Sequence, residues 1–348
     1  MKIVIHFGPP KTGTSSIQNW CLNHRGFLED SGVYYPPHDI DRNGVSSGNL
    51  FALYQAINNP VFSSDKLMQC INNAQARGCH TLLFSSEFFF KDLSKLASDI
   101  PNAIFIGYIR FGLNSVQSSY VQSVKRHGNT VKFDPSKRID KSIDQLRKFV
   151  VDVGVDRYQL RPFDKLFFSR NNLIIDFLDM LNIDYIKIPG LDKKINSSYS
   201  LVSLEVMRWF NKSSSKVISN QLDQALQSFS DSLEYSLFDD ESYTLQKAFY
   251  IQQLKRFFSI YKDDWTLKYL NTCQSSKNEN RLEQSITIDQ FKSKMSQLIE
   301  LRLISTSMIL KYLVQYEGDC SHPYFIELFN LLPFIHQLKY KAIKFLLR

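Results

Sequence analysis

Several features that would decide the class of this chain at once are missing from it. Its 348 residues hold no run of the roughly 18 uninterrupted apolar residues that a bilayer-spanning helix needs. Cysteine is sparse: five residues, odd in number and widely spaced, give neither a disulfide framework nor a zinc-site spacing. The sequence therefore predicts a reducing, cytoplasmic setting in which most cysteines are small core residues, and no metal is expected. No secretory leader is expected either, because the first predicted strand begins at residue 2. Acids are missing after Glu327, and the whole chain carries 42 Lys+Arg against 34 Asp+Glu, a net charge of +8. Such an excess suits nucleic acid, a membrane surface or an anionic ligand. The basic residues are scattered, with short clusters at Lys125-Arg126-His127 and Lys137-Arg138, and no RNA- or DNA-binding motif accompanies them. Nucleic acid is therefore not an expected partner. Hydrophobic content of 43% and charged content of 22% are those of a soluble globular protein.

What is present is concentrated at the start. Residues 2–7 predict a short buried strand, and Ile17, Trp20, Cys21 and Leu28 follow at helical spacing. Between them lies a loop of Gly8, Pro9, Pro10, Lys11, Thr12, Gly13, Thr14, Ser15 and Ser16. A strand running into such a loop and then a helix is the layout of an anion cradle. Free backbone N–H groups and the positive end of the helix dipole both face the loop. Lys11 adds a full charge, and the hydroxyls of Thr12, Thr14, Ser15 and Ser16 add donors. The ATP and GTP form of this loop places its lysine directly after the second glycine. Here Gly8 and Gly13 have the right separation, but Thr14 stands at that place and the lysine lies inside the turn. The plainer alternative is a serine-rich turn with a solvated lysine.

Residues 103–109 form a second continuous apolar run, read as a central parallel strand. Arg110 ends it, and Leu113, Val116, Tyr120 and Val124 mark one face of a helix whose polar side carries Ser118. A guanidinium offers a fork of donors to phosphate oxygens, and a hydroxyl completes the shell. The alternatives are a surface salt bridge for Arg110 and a solvated helix face for Ser118.

Together these segments resemble the sulfotransferases that use 3′-phosphoadenosine 5′-phosphosulfate (PAPS), in particular bacterial carbohydrate sulfotransferase-like proteins. The run from Lys11 to Ser16 resembles their 5′-phosphosulfate-binding loop. Arg110 and Ser118, eight residues apart, resemble their 3′-phosphate pair. Further likeness lies at 32–36, 85–89, 161–164 and 196–200, so the pattern covers roughly residues 1–211. The resemblance implies a P-loop-type α/β fold with PAPS as co-substrate and no metal, held by Lys11, Thr12, Gly13, Thr14, Ser15, Ser16, Arg110 and Ser118. It also implies that Lys11 neutralises charge on the oxygen bridging sulfur and phosphate, while a carboxylate or histidine acts as general base. Glu87, just past a predicted strand, is the first candidate base and His6 the second; His38 lies in a polar loop. The implied acceptor is a carbohydrate or glycolipid hydroxyl. One departure is Gly112, where many members have proline, which predicts a looser helix entry. Two rivals stay open: a P-loop kinase, and a non-catalytic nucleotide-binding or assembly module.

Strands are predicted at 2–7, 81–86, 103–109 and 157–161, with a short piece near 33–35. Helices are predicted near 14–29, 47–58, 65–78, 112–126, 140–153, 170–181 and 200–211. The fold class is α/β, a mostly parallel sheet flanked by helices, followed by a mainly helical C-terminal extension. The predicted domains are a PAPS-binding part, 1–211, and a helical part, 212–348, that shapes the acceptor site or mediates assembly. Residues 127–139 are expected to form a lid. In 329–348, Leu331, Ile335, Leu338, Ala342 and Phe345 share a face beside Lys339, Lys341, Lys344 and Arg348. This stretch is a candidate for peripheral membrane contact. Packing of the stripe on the protein is the alternative that apolar stripes usually take.

Overall fold

A computed structural model describes residues 1–39, 46, 48–55, 61–183, 188, 191, 199–212, 216–228 (backbone alone for 216–219), 235–316 and 318–346. They form two compact units, each assembled from three stretches of chain. The first comprises Met1–Val116, Ile139–Ile195 and Tyr243–Lys277; the second comprises Gln117–Arg138, Asn196–Ser242 and Asn278–Arg348. No single cut at residue 211 reproduces this division.

Strands β1 (Lys2–Phe7), β2 (Val33–Tyr34), β3 (Thr81–Ser85), β4 (Ala103–Ile109) and β5 (Tyr158–Pro162) make one sheet ordered β2-β3-β1-β4-β5. Every neighbouring pair is parallel. The fold is therefore the α/β class, with β1 at the centre. The central strands are apolar on both faces because both faces are covered. Helices α1 (Thr14–Asn23), α2 (Arg25–Asp30), α3 (Ser64–Ala76), α4 (Leu93–Asp99), α5 (Gly112–His127), α6 (Ser142–Val153) and α7 (Leu173–Met180) follow among the strands. On one face Val4, Leu83 and Ile106 pack with Ile17 and Trp20 of α1 and Phe177 and Leu178 of α7. On the other, Phe7 meets Phe90, Phe105 and Tyr158, and Phe90 meets Phe149 of α6.

Later helices are α8 (Leu201–Phe210), α9 (Lys216–Ser228), α10 (Asp240–Phe258), α11 (Thr266–Ser275), α12 (Ile288–Glu300), α13 (Thr306–Gln315), α14 (Pro323–Asn330) and α15 (Phe334–Leu346). Residues 243–277, which cover most of α10 and all of α11, join the sheet unit. There Leu160 N donates to Tyr261 Oη at 3.0 Å, covering an N–H of the edge strand β5, and Tyr250 Oη donates to Arg110 O at 2.7 Å.

Three local expectations are corrected. Residues 47–58 form no helix in their described part: only Leu50–Ala52 makes a 3-10 turn. Asn49 instead continues β3, its Oδ1 accepting from Ser85 N at 2.7 Å and its own N–H donating to Ser85 O at 3.1 Å. The helix expected over 14–29 breaks at His24, between α1 and α2. Gly112 does not loosen the entry to α5; a Cβ there would lie 2.5 Å from the Tyr250 ring, so the missing side chain permits close packing.

The second unit buries Trp209, Phe210, Phe291, Met295, Ile309, Tyr312 and Leu328 in one core. The expected lid belongs to this unit and is pinned. Arg208 Nη1 donates to Thr130 O at 2.7 Å, Tyr120 Oη to Val131 O at 2.9 Å, and Phe133 N to Gln284 Oε1 at 2.6 Å. The Phe133 ring packs on Tyr120 and Phe238. Those bonds oppose lid motion. No helix among the described residues is long and apolar enough to cross a membrane.

Candidate functional site

The chain winds from β1 toward β3 and β2, then crosses to β4 and β5 on the other side. Winding reverses beside β1, and ligands of open α/β sheets bind outside the strand C-termini at such a reversal. The loop 8–13 leaves β1 at this place, Glu87 follows β3, and Arg110 follows β4. Three of the predicted site residues thus leave adjacent strands at one edge.

The loop is bent by two left-handed residues, Lys11 and Gly13, both with φ of 76°. At Lys11 this conformation costs about 1 kcal/mol, since a side chain crowds the backbone there. Arg110 holds it: Nη1 donates to Lys11 O at 2.8 Å. The same guanidinium lies 5.5 Å from the centre of the Phe163 ring. At Gly13 a Cβ would lie 2.5 Å from Leu173 Cδ2 and 2.6 Å from Phe163 Cε2, so glycine is required by space as well as by φ. Thr12 is fully buried and donates its hydroxyl to Pro9 O at 2.8 Å, tightening the turn from inside.

Helix α1 begins at Thr14 with Gly13 as its cap, no side chain capping it and no acid in its first turn. The usual partners of a helix N-terminus are thus missing. Among the described residues, nothing accepts from the N–H of Thr12, Gly13, Thr14 or Ser15. The buried Thr14 Oγ1 also has no partner. Successive N–H groups around left-handed residues form a concave anion site. Lys11, Ser15 and Ser16 are half-buried at its mouth.

The remaining candidates separate. Glu87 opens a 3-10 turn (Glu87–Lys91) capped by Ser86, is half-buried, and makes no hydrogen bond or ion pair among the described residues. Its neighbour strand carries His6, which is 0% exposed. His6 Nδ1 is 2.7 Å from Ser85 Oγ, and its ring packs on Phe177 and Tyr108. Burial pushes the imidazole down to about 3, so it is neutral at pH 7 and too weak a base to take an acceptor proton. His6 aligns β1 with β3, and its burial argues against a role as base. His38 lies 3.0 Å from Tyr35 Oη and 2.8 Å from Ser46 Oγ, and burial lowers its pKa. Ser118 is half-buried on α5, about two turns beyond Arg110, in the stretch of that helix belonging to the second unit.

Two neighbours of Arg110 escape sequence reasoning. Tyr250, fully buried, holds Arg110 O from a helix 140 residues away. Asp140 accepts from Ser142 N at 2.7 Å, while its Oδ2 is buried without a partner. Burial raises the Asp140 pKa, and hydrogen bonds from Ser142 and Ser115 and the charge of Arg110 oppose the rise. Tyr250 sits in an ordinary apolar helical pattern, and Asp140 reads as a helix cap. Neither carries a local signal.

No family model matches the chain, and no curated protein matches it. Among solved structures, the crystal structure of a sulfotransferase from Alicyclobacillus acidocaldarius is similar over 77% of this chain and 99% of its own, with 11% identity and a TM-score of 0.43. At that distance the likeness identifies neither a family nor a substrate.

Proposed function

We propose that the chain is a PAPS-dependent sulfotransferase acting on a carbohydrate or glycolipid hydroxyl. The observation that carries this reading is the cradle itself: unpartnered N–H groups of Thr12 to Ser15 behind a left-handed Lys11 that Arg110 fastens. Its donors and positive charge fit a phosphosulfate, and its lysine lies inside the turn rather than at the ATP-type position. PAPS, when bound, supplies the activated sulfuryl group. Lys11, with the hydroxyls of Thr14, Ser15 and Ser16, stabilises negative charge on the oxygen bridging sulfur and the 5′-phosphate as the S–O bond breaks. Glu87 accepts the proton of the attacking hydroxyl as the new O–S bond forms. Arg110 and Ser118 hold the 3′-phosphate, the guanidinium by its charge and planar fork and the hydroxyl by completing the shell. Catalysis of this kind rests mainly on positioning and preorganised charge.

Calorimetry tests the reading. Binding of the desulfated nucleotide PAP without magnesium, with ATP–magnesium binding far weaker, is the expected result; the reverse preference overturns it in favour of a kinase. A fixed general-base role for Glu87 predicts that Glu87→Gln lowers turnover about 100-fold with PAP affinity unchanged. Near-normal turnover removes Glu87 from the mechanism.

A further inference from the structure

Helix α15 presents its apolar face outward. At about 100° per residue, Phe334, Phe345, Leu338, Ala342, Ile335 and Leu346 span an arc of roughly 120°. All six are exposed, with Phe334 at 74%, Phe345 at 80% and Leu346 at 82%. The opposite arc is the docked one. Tyr340 packs on Phe325 and Phe329 of α14, with ring centres 6.1 and 5.4 Å apart, and His336, Gln337 and Lys344 are half-buried beside it. The helix therefore attaches by its more polar back and leaves an aromatic and aliphatic stripe in water, the reverse of how a globular protein uses an amphipathic helix.

Charge says what the stripe fits. The exposed Lys341 and Lys339 border it on its two sides, and no acid occurs anywhere in α15. Glu327, the acid nearest in sequence, is paired with Lys292 at 3.2 Å. An apolar stripe flanked by lysines on both edges matches a surface that is hydrocarbon below and negative above. We propose that α15 lies in the interfacial plane of a membrane containing anionic lipid, with Phe334, Leu338 and Phe345 inserted and Lys339 and Lys341 at the headgroups. The inference stands apart from the sulfotransferase reading, since it uses no residue of the cradle.

Sedimentation of the full chain with lipid vesicles tests it. Vesicles of phosphatidylcholine with roughly one-third phosphatidylglycerol should carry the protein down at low salt and release it as salt rises. Pure phosphatidylcholine should bind at least about tenfold less. Lys339→Glu with Lys341→Glu, and separately Leu338→Gln with Phe345→Gln, should each lower binding at least about tenfold. Both pairs are exposed, so an unchanged Tm shows that the fold is kept. The proposal is overturned by absence of binding to the anionic vesicles, by equal binding to both lipids, or by binding that both double variants retain. A dimer in solution that Leu338→Gln with Phe345→Gln dissolves, without vesicle binding, assigns the stripe to a second copy and also overturns it.

Discussion

Two loops of this protein put backbone polar groups to opposite uses. The loop of residues 128–134 is tied down: Asn211, Arg208 and Tyr120 donate to the carbonyls of Asn129, Thr130 and Val131, the N–H groups of Asn129, Val131 and Phe133 find Ser123 O, Asn129 Oδ1 and Gln284 Oε1, and Gln284 is itself held by Glu205 at 2.7 Å. The loop of residues 8–15 is shaped with equal care by Arg110 and Thr12 but, among the described residues, keeps the N–H groups of Thr12 to Ser15 open. Leaving polar groups unpaired costs free energy that a closed loop avoids. A loop held rigidly open is built for a ligand, and one held rigidly closed is built for the fold. The difference teaches that length and polarity, which suggested a lid at 127–139, do not distinguish the two; the pairing of backbone groups does.

Breaking the closed loop should have the largest effect on stability. Glu205 is bound by Arg208 through two bonds, at 2.6 and 2.9 Å, and Glu205→Ala strands a half-buried guanidinium and the buried Gln284 amide. A loss of about 3–5 kcal/mol in chemical denaturation is expected, with PAP affinity of the folded protein unaltered. The open loop should respond in the opposite sense. Lys11→Ala should lower turnover about 100- to 1,000-fold, roughly 3–4 kcal/mol of transition-state stabilisation, with Tm nearly unchanged because alanine keeps the Cβ that causes the left-handed strain.

His6 sharpens the distinction between building the site and acting in it. Its folded pKa, about 3, lies below the ordinary value of 6.5, so between those values the unfolded chain binds a proton that the folded one does not. Stability is then full above pH 6.5 and falls as pH drops toward 3. The expected loss between pH 6.5 and 5 is about 2 kcal/mol, and His6→Gln should remove that part of the acid limb while keeping measurable turnover. A dead but stable His6→Gln would return the residue to the chemistry. The smallest effect is expected for Arg110→Lys, which keeps the charge but loses the fork that reaches Lys11 O. PAP affinity should fall about tenfold.

The sequence exposed what is local. The strand β1, its loop and α1 are contiguous, and the apolar run 103–109 with Arg110 at its end needs no distant partner to be read. What it hid depends on long-range contact. Asn49 replaces an expected helix by pairing with Ser85, Tyr250 reaches Arg110 across 140 residues, and His6 looks available until Phe177 covers it. The stripe of α15 was legible as a stripe, but which side faces water is decided by Tyr340 and the two phenylalanines beneath it. Residues 243–277 return to the sheet unit, and 117–138 join the other, through contacts that leave no mark on their own patterns.

The most direct test of the open-loop account is amide hydrogen exchange with and without PAP, in the absence of magnesium. PAP should slow exchange of the amides of residues 12–15 and leave those of Asn129, Val131 and Phe133 unchanged, since the first set is waiting for acceptors and the second already has them. Unchanged exchange at 12–15 under saturating nucleotide would contradict the open-loop reading.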